Sequence, residues 1–194
     1  MKLSADLVVA SPKGWIEAVL ANFDAFLLDH ANCERKASSM AMSFVAKYPD
    51  RLEIIPELIE TAIEELEHFR DVYKIMEERG LQLPSQMTED LYMKKLLAAC
   101  RHGREERFMD RMLLASVVEC RGAERFRMVY ENLPEGKLKK FYHRLWASEA
   151  KHGHIFVKML LNYFEKEPVY QRLDELIQVE ADILYSLELK AALH

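Results

Sequence analysis

The chain has 194 residues, half of them hydrophobic and 30% charged, with six Gly, six Pro, three Cys and a formal net charge of −5. A chain of this length buries a substantial core in one domain, taken as residues 1–194, and few Gly and Pro without a sustained alternating pattern exclude a strand-rich fold. Three cysteines without a Cys-x-x-Cys pair argue against a disulfide framework or a thiolate metal site, and no apolar run is long enough for a bilayer, so a cytoplasmic protein with no membrane partner is expected.

Turn-forming residues punctuate the chain at Pro12, at 48–50 (YPD), 79–90, 101–103, 132–136 and 165–168. Between them the sequence predicts a helix from about Gly14 to Lys47 with a break near Asp24, then helices over 52–79, 89–100, 104–132, 136–164 and 168–192. The first, second, fourth and fifth reach ~25 residues or more, the length of the helices in a large four-helix bundle. The expected fold is all-α.

Each long helix carries a carboxylate where its apolar stripe calls for a hydrophobic residue. The first has Glu34 among Leu27, Ala31, Ala41 and Val45, and the fourth has Glu119 among Met112, Ala115, Ala123 and Phe126. The second has Glu65 and His68 with Leu58, Ala62, Phe69, Val72 and Met76; the fifth has Glu149 and His152 with Leu145, Phe156 and Met159. Burying an uncompensated carboxylate costs several kcal/mol, so each must be neutralised, ion-paired or bound to a metal. One Glu-x-x-His arises easily by chance in a charged helix. Two copies, each preceded by a helix with a lone inward Glu, make core ion pairs the weaker reading.

Residue counting supports the metal reading. Glu34 lies 16 residues before Asp50 and Glu65 lies 15 after it; Glu119 and Glu149 each lie 15 from Pro134. At ~1.5 Å per residue all four carboxylates sit ~22 to 24 Å from their turns, so each hairpin levels its own pair. Hairpins packed face to face would bring four carboxylates and two imidazoles into one apolar interior, which two divalent or trivalent metal ions would balance. Mixed oxygen and nitrogen ligation suits iron, with manganese as competitor.

This pattern resembles the ferritin-like di-metal carboxylate proteins, in which two helices each give one Glu and two give Glu-x-x-His. The stretches DHANCERKAS, ECRGAERF and FYHRLWASEAKHGHIF further resemble the bacterial family of tRNA hydroxylases that modify 2-methylthio-N6-isopentenyladenosine next to the anticodon, a likeness running from about Trp15 to Phe164. That resemblance implies a ferritin-like four-helix bundle with additional helices, two iron ions per chain and O2 as co-substrate. It also implies electrons from an external donor of the ferredoxin or flavoprotein-reductase type, and the tRNA anticodon stem-loop as partner. Glu34 and His68 would be terminal ligands of one iron, Glu119 and His152 of the other, with Glu65 and Glu149 bridging. Ferritin-type iron oxidation and rubrerythrin-like peroxide removal are the alternatives.

A net negative chain is an unpromising tRNA binder, but its charge is uneven. From Lys94 to Lys158 there are 15 Lys and Arg against 8 Asp and Glu, which leaves 27 − 15 = 12 against 32 − 8 = 24 elsewhere. Lys94, Lys95, Arg101, Arg104, Arg107 and Arg111 cluster before and along the fourth helix, and Lys137, Lys139 and Lys140 begin the fifth. By themselves these residues read as solvated helix surface with pairs such as Arg107 with Asp110; with the resemblance they become the expected phosphate contacts. His30, one turn before Glu34, reads as a satisfied core histidine or a hydrogen-bond partner of the site. Tyr142 faces inward as packing or as support for the site. Cys33 and Cys120 point roughly 100° away from their neighbouring glutamates and read as packing.

Overall fold

The computed structural model describes residues 6–86 and 89–194, apart from the side chains of 150 and 151. Its helices are α1 (Lys13–Ala21), α2 (Phe23–Lys47), α3 (Ile55–Glu78), α4 (Leu91–Ala98), α5 (Arg104–Asn132), α6 (Lys137–Leu160) and α7 (Lys166–Ser186), with a 3-10 turn at Leu52–Ile54. They fall into two compact units. One holds the N-terminal segment through Ile16 with α4 to α7; the other holds the rest of α1, the α2–α3 hairpin and Lys190–Leu193.

Local chemistry sets the helix limits. The break expected near Asp24 falls at Asn22, whose side-chain oxygen accepts from the Ala25 amide at 3.3 Å and starts α2. The second long helix begins as a 3-10 turn, and α3 proper starts at Ile55 with Pro56 in its first turn, where the missing N–H costs nothing. Asp90 caps α4 by accepting from the Met93 amide at 2.9 Å. The helix expected to run to 164 ends at Leu160. Its last carbonyls are taken by the Tyr163 and Phe164 amides, at 2.9 and 3.0 Å from Leu160 O, and by the Asn162 side chain on Met159 O at 3.0 Å. The last helix runs from Lys166 to Ser186 instead of 168 to 192. The residues beyond it take tertiary partners instead: the Leu193 amide donates to Asp29 at 2.7 Å, and the His194 ring stacks on Tyr92.

In the α2–α3 hairpin the buried apolar face comprises Phe26, Leu27, Phe44, Leu58, Ala62, Val72 and Met76, each worth ~1.5 to 3 kcal/mol of burial for the larger side chains. In the other unit α5 packs on α6 and on α7, and Phe108, Leu113, Val117, Val129, Phe156, Leu160, Leu173 and Leu176 are buried. Tyr142 is fully buried, with its ring 5.8 Å from that of Phe126. Each hairpin is pinned in register by one serine. Ser38 Oγ donates to Ala62 O at 2.7 Å, joining α2 to α3; Ser116 Oγ donates to Gly153 O at 2.5 Å, joining α5 to α6. At the second joint the helices approach so closely that a Cβ on Gly153 would lie 2.5 Å from Cys120 Sγ.

Candidate metal centre

The serine joints lie within about one turn of the carboxylates in the apolar stripes, so they set which side chains face one another. In α2–α3 the result is a triad of Glu34, Glu65 and His68, with ligand atoms within 4.8 Å of one another. His68 Nδ1 lies 3.5 Å from Glu65 Oε2 and 3.8 Å from Glu34 Oε2. Both carboxylates are buried, while the His68 side chain keeps 16% of its surface exposed. The second oxygen of Glu34, Oε1, contacts His30 Nε2 at 2.6 Å in a fully enclosed setting. His30 is therefore the hydrogen-bond partner of this triad, and it fixes the orientation of the Glu34 carboxylate.

The α5–α6 hairpin repeats the arrangement. Glu119, Glu149 and His152 are buried, with ligand atoms again within 4.8 Å. His152 Nδ1 lies 3.2 Å from Glu149 Oε2 and 3.8 Å from Glu119 Oε2, and only 1% of its side chain is exposed. The residue one turn before Glu119, in the place His30 occupies before Glu34, is Ala115. Each triad thus offers two carboxylates and one imidazole nitrogen. Such a donor set carries two negative charges out of water and matches the charge and the mixed oxygen and nitrogen preference of a first-row divalent cation.

The expected phosphate contacts do not form one patch. Lys94, Lys95, Arg101 and Arg104 are exposed and Arg107 and Arg111 half-buried around α4 and the start of α5, whereas Lys137, Lys139 and Lys140 begin α6. The part of α5 beyond Arg111, ~32 Å at 1.5 Å per residue, separates the two groups. The pairing of Asp110 with Arg107 is replaced by a stronger one. Arg101 donates its backbone amide at 2.8 Å and its guanidinium at 2.7 Å to the fully buried Asp110, and Arg172 donates at 2.9 Å. Burial pushes the Asp110 carboxyl up, but the hydrogen bonds from Arg172 and Arg101 outweigh it and hold the group below the usual carboxylate range. Lys139 in turn pairs with Glu135 at 3.1 Å.

A second charged network escaped the sequence reading. Arg121, fully buried, grips Glu180 through Nε and Nη2 at 2.8 and 2.9 Å and reaches Glu124 at 2.6 Å, while Tyr92 donates to Glu180 at 2.9 Å. Burial and the Glu180 charge raise the Tyr92 phenol well above its ordinary value. Ser11 donates to Glu124 from both its amide and its hydroxyl at 2.7 Å, and buried Arg125 lies over the Trp15 ring, so the network ties down the N-terminal segment. Two of the cations counted as a basic surplus are therefore interior. The signal was present: Glu180 sits among Leu173, Leu176, Ile177 and Leu184, the same charge in an apolar stripe that marked Glu34 and Glu119.

The fold and the buried carboxylate and imidazole donors define the class. A solved structure, Protein 43 with aldehyde deformylating oxygenase activity from Synechococcus, is similar to this chain with a TM-score of 0.90 at 29% identity, covering 98% of this chain and 93% of that one. The fold is all-α, a ferritin-like four-helix bundle with additional helices, and the chain is an enzyme of the oxidoreductase class. The family model for tRNA-(MS[2]IO[6]A)-hydroxylase (MiaE) matches residues 2–194, and the chain belongs to that family. A Pseudomonas putida protein named tRNA 2-(methylsulfanyl)-N(6)-isopentenyladenosine(37) hydroxylase is 32% identical over 193 residues, covering 100% of this chain and 93% of its own. A Salmonella typhimurium protein of the same name is 24% identical, covering 95% and 85% respectively. No helix among the described residues is long and apolar enough to cross a membrane.

Proposed function

We propose that the chain, acting as one domain over 1–194, is an O2-dependent non-haem di-iron monooxygenase. Its substrate is the isopentenyl side chain of 2-methylthio-N6-isopentenyladenosine next to the anticodon in tRNA. The observation that carries the proposal is the pair of triads, each with the same two buried carboxylates and one imidazole, in a chain of this family. Glu34 and His68 would be the terminal ligands of one iron and Glu119 and His152 those of the other, with Glu65 and Glu149 completing the ligand set. When bound and reduced, the irons supply the oxidising power to place one oxygen atom of O2 in a C–H bond, with two electrons and two protons from outside forming water with the other. The electrons come from a donor of the ferredoxin or flavoprotein-reductase type.

The chain's own residues do the rest. His30 holds Glu34 in place, the serine joints hold the carboxylates of each hairpin level, and the apolar stripes around the triads keep water away and suit an apolar allylic tail. A loop base is splayed from its neighbours far more readily than a duplex base, which fits recognition at the anticodon. Lys94, Lys95, Arg104, Arg107 and Arg111 at one end of α5, and Lys137, Lys139 and Lys140 beyond the other, meet phosphates. Arg101 contributes least, because Asp110 already engages its guanidinium. An enzyme acting on tRNA works in the cytoplasm. Iron storage and peroxide removal are not favoured by the family to which the chain belongs.

The test is single-turnover conversion of isopentenylated tRNA by chemically reduced protein holding two irons per chain, with nucleoside mass analysis and labelled O2. Wild type should add one labelled oxygen. His152→Ala should bind tRNA as wild type does and turn over at least ~100-fold more slowly, because an iron lacks its nitrogen ligand while recognition is intact. No added oxygen with wild type would sink the assignment; a wild-type rate in His152→Ala would sink the ligand set.

A further inference from the structure

Near the turn joining α5 to α6 three aromatic rings and two cations gather on one face of the hairpin. Tyr130 and Trp146 are nearly parallel, at 16° with centroids 6.0 Å apart. His143 lies 4.8 Å from Tyr130 and edge-on to Trp146 at 5.7 Å. Arg127 sits over the Trp146 ring at 5.5 Å and Lys139 over Tyr130 at 5.4 Å. His143 and Arg127 are exposed, and Tyr130, Trp146 and Lys139 are half-buried. A cation over an aromatic ring is an ordinary surface contact that occurs roughly once per 70 to 80 residues. Here two occur within one ring cluster, and neither the core nor the triads use any of its members.

The surroundings say what such a surface takes. Between Arg127 and Arg144 there are five Lys and Arg against two Glu, a surplus of 5 − 2 = 3, and Lys137, Lys140 and Arg144 are exposed. Aromatic faces flanked by cations match the two parts of a single-stranded nucleotide, a base with a π-face and a phosphate. An acidic peptide would use the cations and leave the rings idle. The place also fits: His143 and Trp146 lie six and three residues before Glu149, ~9 and ~4.5 Å along α6. A base stacked here would leave its neighbour in the strand within reach of the triad carried by α5 and α6.

We propose that Tyr130, His143 and Trp146 form a stacking platform for an unpaired anticodon-loop nucleotide flanking the modified base, with Lys137, Lys140 and Arg144 on the adjoining phosphates. This rests on the tRNA reading given above and assigns the face that does the recognising.

The experiment measures binding of an anticodon stem-loop RNA to the full chain at several salt concentrations, with tryptophan emission as a second readout. His143→Ala, at an exposed position that tolerates truncation, and Trp146→Leu should each weaken binding on the order of tenfold while leaving the salt slope unchanged, because stacking is lost and no phosphate contact is. Trp146→Phe keeps a ring and should retain most of the affinity. Lys137→Glu with Lys140→Glu should flatten the salt slope instead. The stem-loop should quench wild-type emission, and that quenching should vanish in Trp146→Phe. Unchanged affinity in both His143→Ala and Trp146→Leu, or quenching that persists in Trp146→Phe, overturns the platform. If wild type still binds and hydroxylates in that case, the tRNA reading stands alone; if wild type binds no stem-loop, both fall.

Discussion

The α2–α3 and α5–α6 hairpins carry the same three donors at the same spacing, yet they are built to different tightness. In α2–α3 a buried histidine, His30, grips one oxygen of Glu34, and His68 retains some exposure. In α5–α6 the place of that histidine is taken by Ala115, His152 is sealed, and the helices close on a glycine against Cys120. The first triad is braced by a histidine outside it, on Glu34, whereas the second sits beside a joint of close helix packing. Identical ligands therefore should not respond alike to mutation.

The largest difference should come from removing His30. Groups that orient a metal-bound carboxylate typically govern roughly 10- to 100-fold in metal affinity. His30→Ala should weaken iron binding at the α2–α3 triad by about that factor and leave the α5–α6 triad much less affected. Timed chelation followed by iron spectroscopy should show one iron per chain leaving early and one late. Simultaneous loss of both at an unchanged rate would mean that His30 does not distinguish the hairpins.

The packing difference can be reversed. Ala is worth ~1 kcal/mol more than Gly within a helix, but overpacking a tight contact costs ~1 to 3 kcal/mol. Because the new methyl would meet Cys120 Sγ at 2.5 Å, Gly153→Ala should destabilise the chain in the wild-type background and stabilise it in Cys120→Ala. The double-mutant cycle on denaturant unfolding should then give a coupling energy of about 1 kcal/mol or more. The corresponding joint in α2–α3 already accommodates the buried methyl of Ala62, so Ala62→Gly should cost the helix-propensity difference plus ~0.8 kcal/mol for the lost methyl burial, with no relief to set against it. Additive effects at 120 and 153 would refute the close-packing account.

The stripe signal that exposed the triads is local, and its reach explains what the sequence reading found and missed. Each helix face is a matter of ~3.6-residue periodicity, so Glu34, Glu65, Glu119 and Glu149 stood out, and residue counting from Asp50 and Pro134 set each pair level. Helix ends were less legible. Leu160 and Ser186 end their helices with no Gly or Pro at the boundary: Asn162 caps the first through its side chain, and the chain beyond the second takes a tertiary partner in Asp29. The stripe rule also marks Glu180, but its partner Arg121 lies 59 residues away, and periodicity within one helix cannot tell a carboxylate that meets an arginine from one that meets a metal. Likewise Arg121 and Arg125 entered the basic count, and Asp110 was paired with Arg107, because the partners they meet in the fold carry no sequence mark.

The smallest expected effect sharpens the contrast between an interior charge pair and a surface one. Asp110 is fully buried between Arg101 and Arg172, while Asp24 meets Arg79 at the surface of the other unit. Exposed pairs contribute ~0 to 1 kcal/mol and are screened by salt, so losing the Asp24 pair should matter little. The Asp110 carboxyl has a lower pKa folded than unfolded. Its pairing therefore contributes its full stabilisation above the ordinary carboxylate pKa of ~3.9 and loses it as pH falls through the lower folded value. Near neutral pH it produces no slope. Amide exchange in metal-free protein between about pH 6 and 3 should show α5 and α7 losing protection in acid more steeply in wild type than in Asp110→Asn. Since that substitution leaves two arginines facing a neutral amide, Asp110→Asn should begin from a lower level, and the slope is the measure that counts. Arg172→Met provides the check from the other side: with one donor gone the folded pKa rises toward its ordinary value, and the acid slope should shrink while Asp110 itself remains. Equal slopes in all three proteins would show that the pairing, however short its bonds, does not couple Asp110 to folding.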